Sequence, residues 1–167
     1  MAGSPLTVML NRPPAGARLA IARAGAPADR AILVLPVAGA STTLPTPGLA
    51  GTYELRLMED RDGAPLILLS QPLATTQPSA TLAAPERAGA GQDVPVRGIG
   101  PNGGQDYVTI IAPDAAPEAE GPLFFPAENV EATLEAPASR GRYELRYVLD
   151  APLSGRIVLA RRPIVVE

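Results

Sequence analysis

The sequence predicts an all-β protein built as two tandem Greek-key β-sandwiches joined by a short linker. Three observations carry that prediction. First, Gly51-Thr52-Tyr53-Glu54-Leu55-Arg56-Leu57 returns as Gly141-Arg142-Tyr143-Glu144-Leu145-Arg146-Tyr147, with Tyr53 and Tyr143 standing 90 positions apart. In both copies apolar and charged residues alternate, the period of a strand with one face in a core and one in water. A duplication at that spacing marks tandem units, here residues 1–76 and 80–167. Second, short apolar runs are separated by turn signals, and 20 Pro and 16 Gly supply the punctuation. Third, no helical period is present, while a hydrophobic content of 46% sets the chain apart from disordered Pro/Gly-rich sequences.

In the first unit, residues 6–10 read as a strand and Pro13-Pro14-Ala15-Gly16 as a turn. Residues 18–22 form a second strand with Leu19 and Ile21 on one face, and 24–29 a loop. The apolar run 31–35 stops at Pro36. Residues 42–44 form a short strand, beyond which Pro45 and Pro47 remove ladder donors. The signature strand covers 51–59. Asp60-Arg61-Asp62-Gly63 is a hairpin turn, 66–70 returns, and 73–75 continues the return strand. Gln77-Pro78-Ser79 is the linker, short and restricted by its Pro.

The second unit opens with a strand at 80–84 that has no counterpart in the first. Residues 92–97 follow, then a loop at 98–104. Residues 106–112 match 17–23, with Val108 and Ile110 in place of Leu19 and Ile21. Residues 113–122 form an acidic loop with Asp114, Glu118 and Glu120. Strands are expected at 123–125 and 129–135. A closing hairpin spans 143–149, a turn at 150–155 and 156–160, and 164–166 ends the chain. Six or seven short strands per unit, with turns about every 8–12 residues, give the sandwich. The first unit is therefore expected to start one strand short, its sheet completed by an upstream or partner strand through edge addition.

Composition excludes several functions. With no Cys and no His, disulfides, thiolate or imidazole metal sites and Ser-His-Asp catalysis are impossible. Net charge is −3 with no basic stripe, so nucleic acid is not an expected partner. No apolar run approaches the ~20 residues that span a membrane. All 14 cations are Arg, a bias read as compositional. The absence of Trp makes the cores aliphatic and leaves no indole to stack on a sugar ring.

A Tyr two residues after a Gly, opening a late strand, fits a tyrosine corner, in which the hydroxyl bonds nearby backbone. Tyr53 and Tyr143 are the candidates. Around them, Ala136-Pro137-Ala138-Ser139-Arg140-Gly141-Arg142-Tyr143-Glu144-Leu145-Arg146-Tyr147-Val148-Leu149 and Val158-Leu159-Ala160-Arg161-Arg162-Pro163-Ile164-Val165-Val166 resemble a known repeat. It is the small immunoglobulin-like repeat found in tandem near the C-terminus of bacterial proteins that carry a von Willebrand factor A domain. Asp106-Tyr107-Val108-Thr109-Ile110 after Gly100-Pro101 shares the likeness, which covers most of 80–167 and, more faintly, 1–76. It departs at Gly98, where a Trp is expected, and at Ala17-Arg18, where the first unit lacks the Asp-Tyr pair. The resemblance implies an exported, non-catalytic accessory region, periplasmic or at the cell surface. Its partner would be another protein or upstream domains of the same polypeptide. No cofactor is implied.

Candidate sites are few. Asp60 and Asp62 have the acidic spacing of a calcium loop but fit a turn in which Asp62-Gly63 supplies positive φ. Asp114, Glu118 and Glu120 read as a solvated loop. The Gly-rich stretch 98–104 opens into a strand and not a helix, which disfavours a phosphate cradle. Glu54, Arg56, Glu144 and Arg146 are expected on exposed strand faces, making cross-strand pairs. Phe124 and Phe125 are interaction candidates, since adjacent strand residues face opposite ways and at most one ring enters a core. The function expected is a structural or adhesion module without catalysis. The alternative is a carbohydrate- or calcium-binding module using the end loops of the second unit.

Overall fold

The computed structural model describes every residue except 117, 118 and 120, so Glu118 and Glu120 of the acidic loop lie outside the described residues. Among the described residues there are strands and turns and no helix, so no helix is long and apolar enough to cross a membrane. The strands up to residue 76 are β1 (Pro5–Met9), β2 (Arg18–Arg23), β3 (Leu33–Pro36), β4 (Ser41–Pro45), β5 (Gly51–Arg61) and β6 (Ala64–Thr75). They form a β1-β4 pair and a sheet in the order β3-β2-β5-β6. After residue 80 come β7 (Thr81–Ala83), β8 (Arg87–Ala88), β9 (Asp93–Ile99), β10 (Tyr107–Ile111) and β11 (Leu123–Phe124). They are followed by β12 (Glu131–Glu135), β13 (Gly141–Ala151) and β14 (Gly155–Val166). These form the sheets β12-β9-β7 and β11-β10-β13-β14-β8.

Among the described residues no sheet is shared between the two halves, and each half has its own apolar cluster. Leu19, Ile21, Leu44 and Tyr53 centre the first, with Val8, Leu10, Leu55 and Leu57 around them. Val94, Val96, Val108, Ile110, Leu145 and Tyr147 lie in the second. In both, the chain crosses repeatedly from the small sheet to the large one, the sandwich arrangement that period-two patterning favours.

The pairing scheme recurs in detail. Leu19 faces Leu57 across β2 and β5, as Val108 faces Tyr147 across β10 and β13. Tyr53 faces Leu73 as Tyr143 faces Ile164. Each long hairpin carries one unpaired residue at the same place: Leu68 in β6, opposite Leu57/Met58, and Leu159 in β14, opposite Tyr147/Val148. Such bulges bend and twist the strand that carries them. The Tyr53 hydroxyl donates to the Leu49 carbonyl at 3.0 Å, and the Tyr143 hydroxyl to the Ser139 carbonyl at 3.0 Å, the same four-residue reach backwards.

Two sequence expectations need correction. Gly98 and Ile99 are not loop but the end of β9, where Leu82 and Thr81 of β7 pair with them. A side chain at Gly98 would run into Val108 at 2.6 Å and approach the Tyr147 ring at 3.5 Å. Tyr147 thus fills the room in which a Trp was expected. More consequential is the fate of the charged signature residues. Arg56 and Arg146 are each 1% exposed, among the most buried large side chains of the chain. They do lie on the sheet face away from the core. Loops 24–30 and 112–116 cross that face and cover it.

Each guanidinium is consumed by its loop. Arg56 donates to the carbonyls of Pro27 at 3.0 Å and Ala26 at 2.5 Å, and to Glu54 at 2.9 and 2.6 Å. Arg146 donates to Pro113 and Ala115 carbonyls, both at 2.8 Å, and through Nε to Glu144. A planar donor fork ties two carbonyls of the covering loop to the strand beneath it. Glu144 also takes Arg161 from the neighbouring strand, so cross-strand pairing survives there beside the clamp.

Candidate functional site

A concavity lies where the two halves meet. A cleft of about 730 Å³ is walled by Pro5, Thr43, Leu44 and Pro45 on one side, and Asn102, Gly104, Gln105 and Asp150 on the other. Its far wall is the loop between β9 and β10 together with the tip of the β13–β14 hairpin. That loop is fixed by a buried polar hub. Asp106 is fully buried just ahead of β10. Its carboxylate accepts from the Gly103 N–H at 2.9 Å, the Tyr147 hydroxyl at 2.9 Å and the Asp150 N–H at 3.1 Å. The Tyr147 hydroxyl accepts in turn from the Asn102 N–H at 2.9 Å. Asn102 Oδ1 accepts from the Gly100 N–H at 3.1 Å, closing the loop on itself.

Burial raises the Asp106 pKa, and the Gly103, Asp150 and Tyr147 donors pull the other way. The Tyr147 phenol is pushed well above its ordinary value, first by burial and then by the Asp106 charge. The hub therefore pairs a carboxylate with a phenol that keeps its proton. At the matched positions of the first half stand Ala17 and Leu57, both apolar. The two positions change character together, which was the available sequence signal for the hub. Sequence reading singled out Asp106 only as part of an Asp-Tyr pair and missed its burial.

The halves touch closely around the cleft. The Gly48 N–H donates to the Pro152 carbonyl at 2.8 Å, and a side chain at Gly48 would collide with Ser154. A side chain at Gly3 would strike Leu149 and come within 3.4 Å of Pro101, while one at Gly103 would stand 2.9 Å from the Gly3 carbonyl. Backbone approaches of this kind need glycine. The cleft lining offers the side-chain amides of Asn102 and Gln105, the Thr43 hydroxyl and one carboxylate, Asp150, which is held by Arg156 at 3.1 Å. Such a lining can seat a neutral, partly apolar ligand or partner segment.

The predicted site residues are scattered. Asp60 lies against the Arg18 guanidinium, and Asp62 and Gly63, with φ of 53° and 80°, form the two-residue turn between β5 and β6. Among the described residues no group of three or more His, Cys, Asp or Glu could hold a metal ion. Phe124 packs against the second core, and Phe125 is 36% exposed beside it. Neither ring lines the cleft. No protein-family model matches the chain, and no curated protein matches it.

Proposed function

We propose that the chain is a tandem pair of immunoglobulin-like sandwiches acting as a non-catalytic structural and protein-interaction module. On this reading it is the accessory region of a larger exported bacterial protein, working at the cell surface or in the periplasm. Its task is to hold two sandwiches at a set angle and offer their surface to a partner. The joint is the observation that carries this reading. Gly48, Gly3 and Gly103 let the two backbones meet at contact distance, and the Asp106–Tyr147 hub stiffens the loop that receives them. A linker of three residues adds little slack.

The test is the relative orientation of the halves in solution. Residual dipolar couplings from residues 1–76 and 80–167 should fit one alignment tensor. Gly48→Val, which places a branched side chain against Ser154, should separate them into two while each half stays folded. Two tensors in the unaltered chain would overturn the reading. A second reading, small-ligand binding by the end loops of the second unit, is favoured by the cleft alone. Saturable binding of a glycan that shifts Asn102 and Gln105 would promote it.

A further inference from the structure

The first half has a seat that the second half fills with its own chain. Strand β1 matches β9: Leu6 faces Leu44 as Val94 faces Leu134. The match holds through Leu10, whose N–H donates to the Ala40 carbonyl at 2.9 Å as that of Gly98 does to Val130 at 2.9 Å. In the second half β7 lies on the other edge of β9, with Thr81, Leu82 and Ala83 facing Ile99, Gly98 and Arg97. The corresponding edge, at Asn11, Leu10 and Met9, pairs with no strand among the described residues. Because the Leu10 N–H points to the β4 side, antiparallel alternation turns the peptide groups of Met9 and Asn11 toward the open edge.

The core beneath that edge is open too. Leu145 and Tyr147 are fully buried, whereas their counterparts Leu55 and Leu57 are only partly buried. Val8, Leu10, Leu19, Leu55, Leu57 and Leu69 wall an apolar groove of about 100 Å³ beside the edge. Leu69 is 54% exposed and Met9 74%. In the second half Leu82 packs against the core at this place, and Arg162 fixes the end of the strand by donating to the Ala84 carbonyl at 2.9 Å. Gln71, on the groove, stands where Arg162 stands.

We propose that this edge takes an extended segment of a partner polypeptide, antiparallel to β1, with one aliphatic side chain turned inward and small residues on either side. The occupant's chemistry is that of β7: Thr-Leu-Ala, with the leucine entering over Leu10, Leu57 and Leu69. Main-chain bonds to Met9 and Asn11 supply attachment, and the groove reads the central side chain, the division of labour in strand addition. This goes beyond the structural reading above and does not depend on the joint between the halves.

The probe is a capped peptide with the sequence of residues 77–86, titrated into the full isotope-labelled chain. Saturable shifts are expected at Val8 to Asn11 and at the Leu55, Leu57 and Leu69 methyls, in the low-millimolar range or tighter. They should vanish when the peptide leucine is replaced by Asp. Met9→Pro removes an N–H that β4 does not use and should abolish uptake. Leu69→Asp, an exposed change on the opposite wall, should do the same even if Met9→Pro fails to fold. No shift at the solubility limit of the peptide would overturn the proposal. So would shifts at Arg97 to Ile99 instead, which mark exchange with β7, or dimerisation through Met9 to Asn11 without peptide, which makes a second copy the occupant.

Discussion

Arg146 keeps its guanidinium under a loop instead of in water, and the cost of that arrangement is testable. Replacing it with Met should strip the partners from the Pro113 and Ala115 carbonyls and destabilise the protein by about 3 kcal/mol, the scale of breaking a buried charged cluster. Urea unfolding reads the loss. Faster amide exchange at 112–116 locates it. Arg146→Lys should recover less than half, because one ammonium lacks the planar fork. The alternation of residues 143–147 made the strand and its two faces legible in the sequence. That the outer face is roofed was not legible, since nothing in a period-two pattern tells water from a crossing loop. The hint was the pairing of each Glu-x-Arg with an Ala/Pro-rich loop, Ala26-Pro27 in one half and Ala115-Ala116 in the other. Asp106 was hidden for a similar reason: a carboxylate reads as solvent-facing until its three donors are assembled in space.

At the scale of elements, the two long hairpins differ at their tips. β5 and β6 are joined by Asp62-Gly63, residues at home at positive φ. The β13–β14 tip instead holds Leu153 at a φ of 71°, a conformation that costs a side chain with a Cβ about 1 kcal/mol. Leu153 is 42% exposed, so little packing offsets that cost. Leu153→Gly should raise stability by about 0.5–1 kcal/mol, seen as a higher unfolding midpoint at unchanged denaturant slope. No change, or a loss, would mean that the leucine contributes to the joint with the first half. Turn chemistry made the first tip predictable to the residue. The second was legible only as a turn within 150–155, because Pro152-Leu153-Ser154 carries no glycine at its strained position. Its one glycine, Gly155, opens the return strand.

For the whole molecule, acid should act oppositely on the two halves. Glu54 is held below its ordinary value of 4.5, chiefly by the Gly25 N–H and then by Arg56. What it contributes is present above 4.5 and lost as pH falls through its lowered value. Asp106 is raised above 3.8 by burial, so its contribution is complete below 3.8 and lost as pH rises through its folded value. Between neutral pH and about pH 3, residues 1–76 should therefore lose exchange protection before residues 80–167. Simultaneous loss, or the reverse order, would count against this assignment of the two carboxylates. The all-β character was the most legible property at this scale, because short period-two runs punctuated by Pro and Gly leave no helical stretch. The joint was the least legible: nothing in the pattern around Gly48, Gly3 and Gly103 marks them as contact points until both halves stand together.

The supernumerary leucine of each long hairpin has a steering consequence. Removing Leu159 would leave Val158 facing Val148 and Ala160 facing Tyr147 in an unbroken ladder, and would take away the bend and extra twist at that point. The hairpin tip, and with it the Pro152 carbonyl that receives the Gly48 N–H, would then meet the first half at a different angle without any change to either residue. Half-to-half geometry is thus written partly in a strand position that touches neither side of the contact, and single-residue insertions or deletions there would re-aim one sandwich against the other.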